Sequence, residues 1–296
     1  MESKIPLRYK DRREEGETTL RQCQLVQLHL LHVFDRICKE NGLRYLLEGG
    51  TLLGAMRHDG FIPWDDDVDV GMPIADYKRF LEIAPKVLPE DVYLQRPSDT
   101  PRTSVPFAKL RDAYSFFGES RIDMSLADIN GVYIDIFTYE DMPNIAPRFQ
   151  KLLARACCST WMRTKYFHRC GYCWFFDMYH LLVAGAFHVL HGFARGVVWL
   201  LNRIFPSKDY FLCLESDFAF PYPKEYMFPA KTHRFEDGEF PVPADPDKIL
   251  SAQYGDWHWI PPPDQRPTHA TFVDVFHSIS HRRMIYPRAV KGDDVE

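Results

Sequence analysis

The apolar positions of this chain follow two spacings, which predict a mixture of helices and strands. From residue 19 to residue 41 they recur every three or four positions, with Thr18 or Thr19 as a cap and Asn41-Gly42 as a stop. This spacing predicts an amphipathic opening helix. Residues 131–137 read "GVYIDIF", and their alternation predicts a strand.

The other patterned segments contain both kinds of element. A short strand, "LRYLLEGG", runs into two glycines, and helix-forming composition resumes at "TLLGAMR". Further strands are predicted at "DDVDVGM", "VYLQR" and "FAKLRDAYSFF", and a helix at "ADYKRFLEIA". Because strands and helices mix without internal repeats, we expect an α+β fold (an α/β mixed sheet).

A different region begins near residue 146, where the composition shifts toward Arg, Cys, Phe, Trp and His with helical character. Its long apolar stretch, residues 181–199, is interrupted by His188, His191 and Arg195, which share one helical stripe with His180 and Ala184. One interpretation is a helix lying on a membrane surface, a peripheral membrane contact. Another is a helix packed on the core with one wet face. A metal site is less favoured, because the stripe has no carboxylate or cysteine.

Composition narrows the class of protein. The 296 residues carry a formal net charge of −5 with a pI near 6.2, which argues against a surface for nucleic acid. The first twenty residues are polar and lack the apolar run of a signal peptide, so a cytoplasmic location is expected. The seven cysteines do not form a dense, even disulfide pattern, which fits a reducing compartment.

The acidic stretch "GFIPWDDDVDVGM" carries the first candidate chemistry. In a strand, Asp67 and Asp69 would project from one face while Val68 and Val70 point into the core. Two carboxylates that close repel each other unless a cation lies between them, and oxygen ligands favour Mg²⁺ or Mn²⁺. A solvated turn is an equally good interpretation for the neighbouring Asp65 and Asp66.

Two further features complete a candidate active site. Asp135 is the one carboxylate in its apolar strand, so we expect it to be buried and partnered. Gly49-Gly50-Thr51 stand before a helix, where backbone N–H groups and a positive helix end suit phosphate. A Gly-Gly turn, an acidic strand and a later strand aspartate, in that order, indicate metal-dependent transfer of a phosphoryl or nucleotidyl group.

Four blocks of the sequence resemble the LicD family of phosphotransferases, which includes fukutin and fukutin-related protein. They are "EGGTLLGAMRHDGFIPWDDDVDVGM", "FAKLRD", "GVYIDIF" and "YGDWHWIPPPDQRPTH", and they lie in family order between about residues 20 and 269. The resemblance implies a polymerase β-type nucleotidyltransferase core and a divalent metal. It also implies transfer of a phospho-alcohol from a CDP-alcohol donor to a glycan acceptor such as lipopolysaccharide or teichoic acid.

The resemblance also assigns roles to residues. Asp67 and Asp69 correspond to the metal-binding pair, and Asp135 to a third carboxylate that coordinates metal, acts as base, or does both. The donor diphosphate would lie against Gly49, Gly50 and Thr51.

Cationic and aromatic residues are further candidates for donor contacts. The phosphate candidates are Arg57, His58, Lys109 and Arg111, with ordinary surface cations as the alternative. Trp64, Trp257 and Trp259 offer faces for a choline ammonium, although core packing explains each tryptophan equally simply.

A second, structural metal is a further hypothesis. The cysteines of the 157–173 region, which include a C-x-x-C spacing, would suit zinc, and buried core thiols are the alternative. The candidate ligands are Cys157, Cys158, Cys170 and Cys173.

We therefore expect three parts: a catalytic core over 19–145, a helical insertion over 146–215 and a Pro-rich segment over 216–280 that packs back on the core. The expected reaction moves phosphocholine from CDP-choline to a cell-surface glycan or its lipid-linked precursor, with release of CMP. Transfer of ribitol phosphate, glycerol phosphate or a nucleotide is the alternative within the class. A non-enzymatic, metal-stabilised binding protein is the alternative outside it.

Overall fold

The structure is a computed structural model that describes residues 11–96, 107–119, 130–165, 174–212, 221–266, 270–280 and 283–287. After a short 3-10 turn, the first half of the chain forms three helices: α1 (Thr19–Asn41), α2 (Gly49–His58) and α3 (Ile74–Val87). Its strands are β1 (Leu46–Leu47), β2 (Asp69–Pro73), β3 (Val92–Gln95), β4 (Ala108–Asp112), β5 (Phe116–Glu119) and β6 (Tyr133–Asp141).

The second half begins with two long helices, α4 (Pro147–Lys165) and α5 (Trp174–Ile204). Two short helices follow, α6 (Lys224–Met227) and α7 (Pro246–Tyr254). The strands are β7 (Asp209–Leu212), β8 (Tyr222–Pro223), β9 (Lys231–Phe235), β10 (Gly238–Val242), β11 (Ala270–Asp274), β12 (His277–Ser280) and β13 (Arg283–Pro287).

A mixed sheet organises the molecule. Its strands run in the order β1-β2-β6-β4-β3, and β7 and β8 continue it beside the far end of β6. β2 and β6 are parallel and at its centre, whereas the other pairings are antiparallel. The α+β fold predicted from the sequence is confirmed.

The opening helix closes one face of this sheet. Thr18 accepts a hydrogen bond from the Arg21 backbone N–H, and Gly42 ends α1 with the positive φ of 61° that glycine adopts easily. The apolar face of α1 joins the main core through Leu30, Leu31 and Phe34. Burial of this face, more than helix propensity, holds α1 in place.

The C-terminal part packs on the same core. Met227, Phe235 and Phe240 are buried in it, as are Ile249 and Leu250 of α7. α7 starts at the predicted cap, because Asp245 accepts a hydrogen bond from the Lys248 backbone N–H. The predicted 146–215 insertion contains α4 and α5, but its residues 209–212 form β7, which is part of the main sheet.

Candidate active site

The two central strands bring the predicted carboxylates together. Asp69 is the first residue of β2, and it pairs in register with Asp135 of β6. Val68 and Val70 are fully buried, so the predicted alternation is confirmed. Asp67 lies before the strand begins, although the sequence predicted it as a strand residue. Strand alternation therefore does not set the direction of the Asp67 side chain. Its negative charge nevertheless raises the pKa of Asp69.

Asp69 lies in a strongly unfavourable electrostatic environment. Desolvation, together with the negative charges of Asp67 and Asp135, raises the pKa of Asp69 well above its usual value. Asp65 and Glu48 add smaller contributions of the same sign. A cation in this cleft would therefore be attracted by several carboxylates at once.

The start of α2 forms the adjacent wall of the cleft. The Asp69 backbone N–H donates to Thr51 Oγ1 at 2.8 Å, and the Glu48 N–H donates to the Asp69 carbonyl at 3.0 Å. The two glycines belong to the first turn of α2, not to a turn before it as predicted. Gly49 has a positive φ of 53°, and a Cβ there would lie 3.2 Å from Asp69 Oδ2.

Asp65 and Asp66 have different environments. A Cβ on Gly50 would lie 2.8 Å from Asp65 Oδ2, so this carboxylate lies against the helix start beside Asp69. Asp66 is buried and accepts a hydrogen bond from the Ala270 backbone N–H at 2.8 Å. Asp65 is thus part of the acidic cleft, whereas Asp66 holds the entry to β11 in place.

The predicted partner of Asp135 was a metal, and the structure adds a cation from the protein itself. Lys109 Nζ lies 3.0 Å from Asp135 Oδ1 and 3.3 Å from the centroid of the Tyr133 ring. The pairing follows from the sheet, because Lys109 of β4 is opposite Asp135 in the register. Asp135 is 8% exposed, which confirms that it is buried and partnered.

Lys109 and Arg111 lie on one face of β4, as their spacing predicted. They are 1% and 2% exposed, so the alternative that they are surface cations is wrong. Arg111 donates to Gln95 Oε1 at 2.6 Å and to the Gly131 carbonyl at 2.7 Å. Their proposed contact with phosphate stays a prediction.

Glu48 is a site residue that the sequence analysis missed. Its carboxylate accepts hydrogen bonds from Tyr139 Oη at 2.5 Å, Tyr222 Oη at 3.2 Å and Gln253 Nε2 at 2.7 Å. Desolvation outweighs these bonds and raises the pKa of Glu48. Its position directly before Gly49-Gly50 was visible, but its partners are far away in sequence.

Removing one of these donors tests the network. We expect Tyr139→Phe to lower the free energy of unfolding by about 1–3 kcal/mol, because the buried Glu48 carboxyl loses a partner. Urea denaturation measures the effect. Tyr210→Phe is the matched control, since Tyr210 stacks beside Tyr139 at 6.0 Å and its ring remains. Equal effects of the two substitutions would contradict a role for the Tyr139 hydroxyl.

Tyr254 is a second missed residue. Its hydroxyl lies 3.9 Å from the position of a Cβ on Gly49, next to the carboxylate of Asp69. Desolvation, followed by the charges of Asp69 and Glu48, raises the pKa of Tyr254. The hydroxyl therefore stays protonated and is a hydrogen-bond donor at the edge of the cleft.

The last turn of α2 is joined to the C-terminal block. Arg57 Nη1 donates to the Trp257 and Trp259 carbonyls, each at 3.1 Å, and Arg57 Nε lies 3.0 Å from His58 Nε2. Burial and the Arg57 charge lower the pKa of His58. These contacts bring the first and fourth sequence blocks together at one side of α2.

Two of the three candidate tryptophans, Trp257 and Trp64, have different surroundings. Trp257 is 8% exposed in the main core, and its Nε1 donates to Asp247 Oδ1 at 3.0 Å. Trp64 is partly buried, with the Arg266 guanidinium 3.9 Å above its ring. Core packing therefore accounts for Trp257, while Trp64 already stacks with a cation. Their contact with donor stays a prediction.

The zinc hypothesis falls mostly outside the described residues. Cys170 and Cys173 lie there, and nothing is described of the Cys158 side chain. Cys157 is buried in a small apolar cluster with Ala194, Val198 and Phe211. Zinc binding stays a prediction.

The three carboxylates of the site have the chemistry of ligands for a divalent metal. Asp67, Asp69 and Asp135 supply the oxygen ligands that Mg²⁺ prefers, and their mutual repulsion would be relieved by it. Among the residues that the structure describes, no group of three or more Asp, Glu, His or Cys side chains is arranged so that it could hold a metal ion. The chemistry of the residues fits, and side-chain rearrangement would accompany binding.

Comparison with known proteins decides the family. The sequence profile described as "LicD/FKTN/FKRP, nucleotidyltransferase domain" matches residues 42–151, which contain all three carboxylates. "Lipopolysaccharide cholinephosphotransferase LicD" of Haemophilus influenzae is 30% identical over 268 residues, 85% of this chain and 96% of the relative. The chain belongs to the LicD family. The resemblance read from the four sequence blocks is confirmed.

More distant LicD relatives match a shorter segment. "Ribitol 5-phosphate transferase FKRP" of human and of mouse are each 63% identical over 35 residues, 12% of this chain and 7% of theirs. LicD membership makes the chain an enzyme, a phosphotransferase that moves a phospho-alcohol.

Proposed function

We propose that this LicD enzyme transfers a phospho-alcohol from a CDP-alcohol to a glycan hydroxyl. Phosphocholine is the first candidate for the transferred group. The acceptor oxygen attacks the β-phosphorus, the bond to the bridging oxygen breaks, and CMP leaves. The observation that carries the proposal is the cleft in which Asp69, paired in register with Asp135, lies against the start of α2. The named activity of the Haemophilus relative, which aligns over most of the chain, supports phosphocholine.

The donor diphosphate is assigned to the start of α2. Gly49 and Gly50 place no side chain at the first turn of α2, and the positive helix end attracts phosphate. Arg57, His58, Lys109 and Arg111 remain the candidates for contact with phosphate, although the lowered pKa of His58 disfavours its charged form. Lys109 is the best placed of these, because it already lies in the cleft beside Asp135.

Asp67, Asp69 and Asp135 would hold Mg²⁺ or Mn²⁺. When bound, the metal would neutralise charge on the diphosphate. Asp135 would also accept the proton of the attacking hydroxyl. Lys109 Nζ lies 3.0 Å from this carboxylate and supplies a counter-charge beside it. Tyr254 and Thr51 position the Asp69 side of the cleft.

The proposed acceptor is a cell-surface glycan or its lipid-linked precursor. The name of the Haemophilus relative specifies lipopolysaccharide, which supports a lipid-linked glycan. Such a precursor is reached at the cytoplasmic face of a membrane, so we propose that the enzyme works there. The short match to ribitol 5-phosphate transferases keeps ribitol phosphate as the second candidate.

A screen of activated donors tests the proposal. We expect the purified enzyme with Mg²⁺ to release CMP from CDP-choline faster than from CDP-ribitol or CDP-glycerol, and to stop when EDTA is added. Quantifying CMP by chromatography measures the rate. Preference for CDP-ribitol would move the assignment to the second candidate.

The donor screen also separates the other classes. A nucleotidyl transferase would attach CMP to the acceptor and release the alcohol phosphate, so free CMP would not accumulate. A metal-stabilised binding protein would release no CMP from any donor and would unfold on treatment with EDTA. Either result would contradict the proposed reaction.

A further inference from the structure

Two residues of the polar stripe of helix α5 contact the protein, while His188 of the same stripe is exposed. His191 Nδ1 lies 3.0 Å from the Cys157 carbonyl oxygen, and the Arg195 guanidinium pairs with Glu140 of β6. Ala194 and Val198 are buried on the same side of the helix. His191 and Arg195 therefore contact α4 and the sheet. The two interpretations of the helix, on a membrane surface or packed on the core with one wet face, stay predictions.

The opposite side of α5 is apolar and exposed. Leu182, Val189, Phe193, Leu200 and Ile204 recur at spacings of seven and four residues, which return to one face of a helix. Val189 is 74% exposed and Phe193 72%. The segment Leu182–Ile204 is long and apolar enough to cross a membrane by length and composition. A contiguous exposed apolar face of this kind marks an interaction site.

The charge of the same region differs from that of the rest of the chain. Residues 147–205 contain eight Lys and Arg and a single carboxylate, Asp177, while the whole chain has a formal net charge of −5. Exposed cations lie on α4, which packs against α5, at Arg148, Lys151 and Arg155, and near the end of α5, at Arg203. An apolar helix face accompanied by such cations suits an anionic lipid surface.

We propose that α4 and α5 form a membrane-docking surface, on which the apolar face of α5 lies in the interface of an anionic bilayer. The helix lies on the bilayer and does not cross it, because its other side is bonded to α4 and to Glu140 of the main sheet. A second copy of the chain is a poorer occupant, since the same excess of positive charge would face itself. This inference is independent of the donor and of the reaction.

Vesicle binding tests the surface directly. We expect the full chain to sediment with vesicles of phosphatidylcholine and phosphatidylglycerol, and to bind pure phosphatidylcholine at least tenfold more weakly. Phe193→Asp and Val189→Asp should each reduce binding to the anionic vesicles at least tenfold. Val87→Asp is the matched control, because Val87 is an apolar residue at the end of α3, outside α4 and α5, and is 45% exposed. Circular dichroism checks that each variant is folded.

Four results would overturn the inference. The wild-type chain would bind anionic vesicles no better than neutral ones, or Val87→Asp would lose as much binding as Phe193→Asp. Self-association that Phe193→Asp abolishes, without any vesicle binding, would assign the face to a second copy. Resistance of the membrane-bound protein to extraction at high pH would show a spanning helix. CMP release from a soluble donor does not depend on membrane binding. Measuring it in parallel therefore distinguishes a failure of docking from a failure of the proposed reaction.

Discussion

Replacing Asp69 by Asn is expected to abolish transfer and, at the same time, to stabilise the metal-free protein. Loss of this carboxylate should lower the rate about a thousandfold or more, because Asp69 is central in the proposed metal site. The same change removes a charge that desolvation, Asp67 and Asp135 make unfavourable. We therefore expect the melting temperature in EDTA to rise by about 2–4 °C, the shift for ~1 kcal/mol in a chain of this size.

The gain in stability should depend on pH with a definite sign. The pKa of Asp69 is higher in the folded protein than the usual value of about 3.9, so the folded state binds its proton more tightly. Asp69 therefore favours folding below pH ~4, and this contribution is lost as pH rises through the raised pKa. The advantage of Asp69→Asn should appear at neutral pH and vanish near pH 4. An inactive variant that is less stable at neutral pH would contradict the repulsion.

Replacing Asp135 by Asn should abolish transfer equally and have the opposite effect on stability. Asp135 is the buried partner of Lys109 at 3.0 Å, and the substitution leaves the Lys109 ammonium without its counter-charge. Breaking a buried pair on one side costs about 3–5 kcal/mol. Urea denaturation and the CMP assay measure the two effects.

A double-mutant cycle provides the control for Asp135. Lys109→Met with Asp135→Asn removes both members of the pair, so the double variant should be more stable than Asp135→Asn alone. Transfer should remain absent in it. If Asp135→Asn keeps more than a tenth of the wild-type rate, Asp135 neither holds the metal nor takes the proton.

Local sequence patterns predicted the elements that build the site. The spacing in α1, the alternation of Val68 and Val70, and the strand around Asp135 are each decided by neighbours within a few residues. They also placed Asp69 and Asp135 on strands of one site. Such patterns work because side-chain period and burial are properties of the element itself.

Contacts between distant residues could not be predicted in this way. Glu48 takes its partners from positions 139, 222 and 253, and the pairing of Lys109 with Asp135 needs the register of β4 with β6. The direction of Asp65 toward Gly50 depends on how the loop before β2 folds. The sequence shows that α5 has a polar stripe, but the side of α5 that faces the protein depends on its contacts with distant residues such as Cys157.

The most direct test of the proposed reaction is the mass of the acceptor after incubation with CDP-choline and Mg²⁺. The account predicts an acceptor that gains one phosphocholine, with CMP in equal amount, in the wild type but not in Asp69→Asn or Asp135→Asn. An acceptor that gains CMP, or one that stays unmodified beside every CDP-alcohol in the presence of Mg²⁺, would contradict it.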